Sequence, residues 1–463
     1  MIRAPKASTF LLILLLTWRA GLWGQAQAAE QGSGGLDAES REQVLDNILR
    51  EIRERYVLPA SVPQIEKELR TRSRSGAYDG ALTPAKLAEM LTEDLRKASS
   101  DWHMSVAHDP AKEARLLAAK AATGAIPQDL DPTPEEIEGA RRNNFGFQKV
   151  ERLAGNVGVL DIRVFVDLTL SRETAASALG FLANADAVIL DLRQNVGGYI
   201  NAEDFLMSHF FGPRPVELFS IYDRATNSTT RKFTLADLPG KRLERADLYI
   251  LTSGRTASAA EAVALTLQRL GRATVIGERT IGAGHGYTEV PVGHGFVLGV
   301  SIFYQLDPRT GKGWEGVGVQ PDLAVPADRA LDLAHLEAVK RLAAKTPEAE
   351  RRRQLDWLVP LLELKASGPK QVSPSWLQRY AGLYEGIEIL LEQGRLYFLG
   401  ASGIRRNLFA YSDSEFLIED ASVLPENQAR VRFVADAQET ITELQLLVSD
   451  GRVFPRARKS SSP

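Results

Sequence analysis

The chain of 463 residues contains no cysteine. That absence excludes disulfides, thiolate nucleophiles and Cys-ligated zinc together, and leaves packing as the source of stability. A charge bias is missing as well: 56 Lys and Arg face 59 Asp and Glu, a formal net charge of -3. Nothing in the bulk electrostatics favours a polyanion, so no nucleic-acid partner is expected. Histidine is scarce, with six scattered residues and no metal-ligand spacing, so the expected chemistry needs no metal and no cofactor. Long apolar runs are also few. Phe10 to Leu16 is too short to span a bilayer. With Arg3 and Lys6 before it and Ala26-Gln27-Ala28 after it, it matches a cleaved secretory signal over residues 1–28. The expectation is an exported chain, periplasmic or secreted, with no integral span after cleavage; Leu22 and Trp23 leave a retained anchor as the alternative.

What is present is enough apolar residue, 44%, to build cores, and enough length for about three units. After Gly32 to Gly35, a Gly/Ser linker, Val44, Leu45, Ile48, Leu49 and Ile52 recur at helical spacing, as do Leu87, Met90, Leu91 and Leu95. Residues 38–108 therefore read as an N-terminal helical domain, and 109–148, polar and Pro-bearing with one Ala-rich helix, as a connector. From Val157 the texture changes. Val157 to Ile162, Ala187 to Leu192, Leu248 to Thr252 and Thr274 to Gly277 read as buried strands, with a helix from Ser258 to Leu270 between the last two. This alternation predicts an α/β domain with a mostly parallel sheet over 149–345. The tail over 374–456 has short strands and the turn signals Gln393-Gly394 and Asp450-Gly451, and reads as a small antiparallel β module.

Four stretches carry candidate chemistry. In Thr252-Ser253-Gly254-Arg255-Thr256-Ala257-Ser258-Ala259-Ala260-Glu261 a strand passes through small residues into a helix, so Ser258 is either an N-cap or a nucleophile beside the free N–H groups of a helix start. Asp191-Leu192-Arg193-Gln194-Asn195-Val196-Gly197-Gly198 ends a strand on paired glycines. It lacks the Lys-Ser/Thr of a phosphate loop, and suits main-chain N–H groups offered to a carbonyl oxygen, with Gly198 available to a substrate. His103, in Ser99-Ser100-Asp101-Trp102-His103, is a candidate general base, with His108 and His285 as competitors. Glu315, in Trp314-Glu315-Gly316-Val317-Gly318-Val319-Gln320-Pro321-Asp322, either orients an imidazole, binds a substrate amine or sits in a solvated turn.

In that order the four stretches resemble the S41 serine peptidases, in the branch that holds the tricorn protease core and the interphotoreceptor retinoid-binding protein repeats, relatives of the C-terminal processing proteases. The resemblance runs from about residue 40 to 340. It implies a ClpP/crotonase-like β-α superhelix flanked by the helical domain and the β module. It implies further that Ser258 is the nucleophile, His103 the base, Glu315 the outer acid, and the N–H groups of Gly197 and Ala259 the oxyanion hole, with peptides or unfolded proteins as substrates. Gly282-Ala283-Gly284-His285-Gly286 carries no Lys, which argues against the Ser-Lys dyad of the processing branch, and 109–148 is too short for that branch's PDZ domain. Trp102 stands where the tricorn-like branch has Ser, with Ser100 and Ser105 as candidate replacements. A non-proteolytic apolar-ligand carrier on the same scaffold, and an esterase using the same triad, are the competing expectations.

Overall fold

Helices Ala38–Arg55, Val62–Arg74 and Pro84–Ser99 begin the part of the chain that the computed structural model describes, residues 36–370 and 372–459. The expected signal segment and the linker through Gly35 lie outside these residues. The first helix is capped by Asp37, whose carboxylate accepts the Ser40 N–H, and the third by Thr83 with Pro84 at its first position. Their apolar stripes, including Ile48, Leu49, Ile65, Leu91 and Leu95, share one core with Val290, Val292, Phe296, Leu298 and Val300. The latter belong to strands His285–Gly293 and Phe296–Leu306, so the N-terminal helices cover one face of an antiparallel sheet that comes from much later in the sequence. Strand Ser105–His108 joins that sheet against Phe296–Leu306. Among the described residues, no helix is long and apolar enough to cross a membrane.

The stretch 109–148 is more than the one-helix connector expected of it. It holds two helices, Pro110–Thr123 and Pro134–Arg142, the second closed by a capping box from Thr133 and Glu136. Glu113 accepts the N–H groups of Gly293 and Gly295, which ties the first helix to the antiparallel sheet.

A second sheet has the strand order Leu323–Ala324, Ala273–Gly277, Asp247–Thr252, Ala187–Asp191, Val157–Ile162, Phe147–Leu153. All its pairs are parallel except the last. Its inner strands, Val157–Ile162, Ala187–Asp191 and Asp247–Thr252, are apolar on both sides because both faces are covered. Leu160, Leu190 and Ile250 meet helices Leu168–Phe181, Ile200–Ser208 and Ala259–Arg269 on one face. Val159, Ile189 and Leu251 meet Ala330–Lys345 and Ala349–Ser367 on the other. The architecture is mixed α/β, with helices ahead of the core and an antiparallel β domain after it.

That last domain is an eight-stranded meander from Gly382–Tyr384 to Val453–Ala457 in which each strand pairs with the next. A bridge between Tyr384 and Arg458 brings the end of the chain back to the first strand, so the meander closes as an up-and-down barrel. Its interior is an aromatic cluster of Tyr380, Tyr384, Phe416 and Phe433, with ring centroids 4.5 to 5.8 Å apart. The Arg430 guanidinium lies 3.8 Å from the ring of Trp357 in helix Ala349–Ser367 and so joins barrel to core.

Candidate active site

Strand Asp247–Thr252 delivers the chain at the C-terminal edge of the parallel sheet, and helix Ala259–Arg269 starts seven residues later. The turn between them is stitched to the loop after Ala187–Asp191: Thr256 Oγ1 donates to the Leu192 carbonyl, Ser253 Oγ to that of Arg193, and the Ala257 N–H to that of Asn195. Ser258 occupies the N-cap position, yet its φ of 53° and ψ of -125° are not those of an ordinary cap. This is the strained strand-to-helix elbow that projects a hydroxyl outward. Glu261, fully buried, holds the strain in place by accepting the N–H groups of Ser258, Gly282 and Ala283 and the hydroxyl of Thr280.

His103 sits in the turn between helix Pro84–Ser99 and strand Ser105–His108, and its Nε2 lies 3.2 Å from Ser258 Oγ. The two residues are 155 positions apart in sequence, His103 just before a strand of the antiparallel sheet and Ser258 in the turn after a strand of the other sheet. Burial pushes the His103 imidazole down to about 4, against the pull of the Asp101 charge, so at neutral pH the ring is unprotonated and able to accept a proton. Its Nδ1 is buried and has no hydrogen-bond partner; the Asp101 carboxylate is 3.9 Å away. Neither Ser100 nor Ser105 is bonded to this imidazole, so the expected replacement hydroxyl is not there and a carboxylate stands nearest instead.

Behind His103 lies a second imidazole. His285 Nδ1 is 2.7 Å from Asp101 Oδ2 and 3.7 Å from Glu315 Oε2. Burial works to lower His285, but the hydrogen bond and charge of Asp101 outweigh it and hold the ring above its ordinary value. Burial likewise works to raise Asp101, and the bond to His285 with the nearby imidazole charges keeps it below the usual carboxylate range. Glu315 is pushed up to about 7, mainly by burial; its Oε2 accepts the Gly284 and His285 N–H groups at 2.5 and 3.0 Å. It does not reach His103 directly. The donor atoms of Asp101, His285 and Glu315 lie within 4.8 Å of one another, as ligands of a cation would. Two ligands on one tetrahedral zinc sit about 3.3 Å apart given bonds of about 2.0 Å. The 2.7 Å between Asp101 and His285 is instead a hydrogen-bond distance.

The glycine loop packs directly on the elbow. A side chain at Gly197 would meet Ser258 Cβ at 2.6 Å and Ala259 N at 3.1 Å, so only glycine fits there. The expected use of the Gly197 N–H as an oxyanion donor needs correction. That group donates to Asn195 Oδ1 at 2.8 Å, closing an Asx turn, while Asn195 Nδ2 donates to the Ile162 carbonyl. The Gly197 carbonyl is also taken, by the Phe165 N–H. Among the described residues no protein acceptor is found for the N–H groups of Gly198 and Ala259, which leaves these two as the open main-chain donors beside Ser258. Asp101, Asn195 and Glu261 hold the site together, and the motifs that contain them do not by themselves give them a role. The available signal was an acid two residues before the candidate base and another three residues after the candidate nucleophile.

A serine on a strained turn, an unprotonated imidazole on its hydroxyl and open main-chain donors together form a centre fit for nucleophilic acyl transfer. Comparison with known proteins gives the lineage. Residues 156–325 match the model of peptidase family S41, and residues 39–145 that of the N-terminal domain of Peptidase_S41 in eukaryotic IRBP. The chain belongs to peptidase family S41. It is 30% identical over 179 residues to a carboxy-terminal-processing protease of Bartonella bacilliformis, covering 38% of this chain and 40% of that one. It is 29% identical over 189 residues to carboxyl-terminal-processing peptidase 1, chloroplastic, of Arabidopsis thaliana, covering 39% and 35%. The chain thus spans about two fifths or less of the length of these curated relatives. Among solved structures, the photosystem II D1 C-terminal processing protease aligns with a TM-score of 0.41 at 16% identity over 62% of this chain and 94% of that one.

Proposed function

We propose that the protein is an exported serine endopeptidase or C-terminal processing peptidase that hydrolyses peptide bonds in extended or unfolded chains. The observation that carries this reading is the 3.2 Å approach of His103 Nε2 to Ser258 Oγ at the elbow. In the proposed reaction Ser258 Oγ attacks the scissile carbonyl carbon while its proton passes to His103 Nε2. The developing oxyanion lies between the Ala259 and Gly198 N–H groups. His103 then returns the proton to the leaving amine, and water repeats the cycle on the acyl-enzyme. The names of the curated relatives support peptides as substrates, and the N-terminal pattern of residues 1–28 supports export. An apolar-ligand carrier would want a cavity of roughly 300 Å³ or more. The apolar pocket lined by Phe147, Ile162, Phe165 and Phe205 has room for about one water, and a roomier groove of about 410 Å³ among the N-terminal helices is lined by Arg41, Glu42, Arg70, Arg74 and Asp79, charged groups that do not suit an apolar ligand.

A fluorophosphonate reagent should label the protein on the peptide that contains Ser258. Ser258→Ala should abolish both the label and hydrolysis of casein or a short peptide, with the far-UV circular dichroism retained. Undiminished hydrolysis by that variant would remove the proposal.

A further inference from the structure

His103 Nδ1 is an anomaly: a buried polar atom without a partner, in the residue on which the reaction turns. When Nε2 accepts the serine proton, the ring proton must reside on Nδ1, and that N–H wants an acceptor. The resemblance implies Glu315 as the outer acid of this network, with Ser100 or Ser105 as the candidate hydroxyl beside the imidazole, and neither hydroxyl bonds it. The geometry points elsewhere, because Glu315 Oε2 is taken by two main-chain N–H groups and faces His285. Asp101 lies between. It is buried, its Oδ1 accepts the main-chain N–H of His103 at 2.9 Å, and its Oδ2 bonds His285 Nδ1 at 2.7 Å.

Resting on the peptidase reading above, we propose that Asp101 is the positioning carboxylate of the site, linking Ser258, His103, Asp101 and His285 in one hydrogen-bonded line with Glu315 behind His285. A shift of about 1 Å shortens the 3.9 Å gap between Asp101 Oδ1 and His103 Nδ1 to hydrogen-bond length. The oxygen has a second lone pair for it, so the main-chain bond need not break. Asp101 takes no proton in the reaction; it fixes the tautomer and stabilises the imidazolium that forms on His103. His285 holds Asp101 from behind, as the partner of a positioning carboxylate must if that carboxylate is to stay ionised in a buried place. The other groups facing this line are Arg96, whose charge acts on both Asp101 and His103, Tyr56 and Ser301 beside Asp101, Tyr287 against His103 and Tyr304 against His285.

The test compares Asp101→Asn, His285→Gln and Glu315→Gln by peptide hydrolysis across pH. Asp101→Asn keeps the shape and should lower kcat by about 10⁴-fold with little change in KM. Because the Asp101 charge pulls the His103 titration upward, its removal should also move the acid limb of kcat/KM to lower pH, which a loss of packing alone would not do. His285→Gln should lower kcat more than Glu315→Gln does. If Asp101→Asn does not fold, the order of the other two decides: a larger loss for Glu315→Gln overturns the proposal. Asp101→Asn within tenfold of the parent kcat also overturns it. Failure of the peptidase reading is read separately, from an active Ser258→Ala.

Discussion

The α/β core and the C-terminal barrel are built by opposite rules. In the core, polar groups are buried and incompletely bonded: His103 Nδ1 and Glu315 Oε1 have no partner, and Ser258 is held at a positive φ. In the barrel the buried side chains are apolar or aromatic apart from Arg430, whose Nε also lacks a hydrogen-bond partner but whose guanidinium packs on Trp357, and most positive φ values fall in turns such as Gln393-Gly394 and Gly451. Strain and unmatched polar atoms cost stability, and in this molecule the two coincide where His103 meets Ser258. The contrast supports the proposal that the chemistry lies in the core and that the barrel serves packing.

Four substitutions sharpen or break that contrast. The largest effect is expected from His103→Ala, which should lower kcat on the order of 10⁶-fold without a comparable change in stability. Should His285→Ala remove activity while His103→Ala keeps it, the two imidazoles have been assigned in the wrong order. Phe433→Ala should do the reverse. It empties the aromatic centre of the barrel and should cost about 3–5 kcal/mol in denaturant unfolding, with kcat unchanged; a loss of kcat in that variant would show that the barrel shares in the chemistry. The smallest effect is expected from Asn195→Ala, which releases the Gly197 N–H and the tie to Ile162. Loss of order in the donor loop should lower kcat by about 100-fold, as loss of one oxyanion donor does. Measured against the parent, that variant should leave the barrel's unfolding where it was.

Much of the core was legible because its signals are local. Ala187–Asp191 is buried throughout and apolar up to its last residue, Asp191, and the strand-helix alternation around Ser258 marks a parallel sheet on its own. Helix Ala349–Ser367 escaped notice because Pro360 lies inside it and its Arg-rich start masks Leu355, Leu358 and Leu362. The hairpin of Glu217–Asp223 and Ser228–Phe233 escaped for a different reason: its second strand is solvent-exposed and polar, so it has no apolar alternation to read. Barrel closure rests on one bridge between residues 74 positions apart, which no local pattern encodes. At the site, motif order identified the chemical groups but not their contacts. The residue nearest His103 Nδ1 was two positions away, yet the partners of Asp101 and Glu315 depend on how a loop 180 residues later folds back.

Glu261 gives the site one further property. A single buried carboxylate grips the nucleophile's own amide on one side and, on the other, the start of the segment that leads into His285. Two parts of the machinery thus hang from one peg: whatever displaces the turn at residue 258 tugs the second imidazole with it, and the alignment of the whole line is kept or lost together.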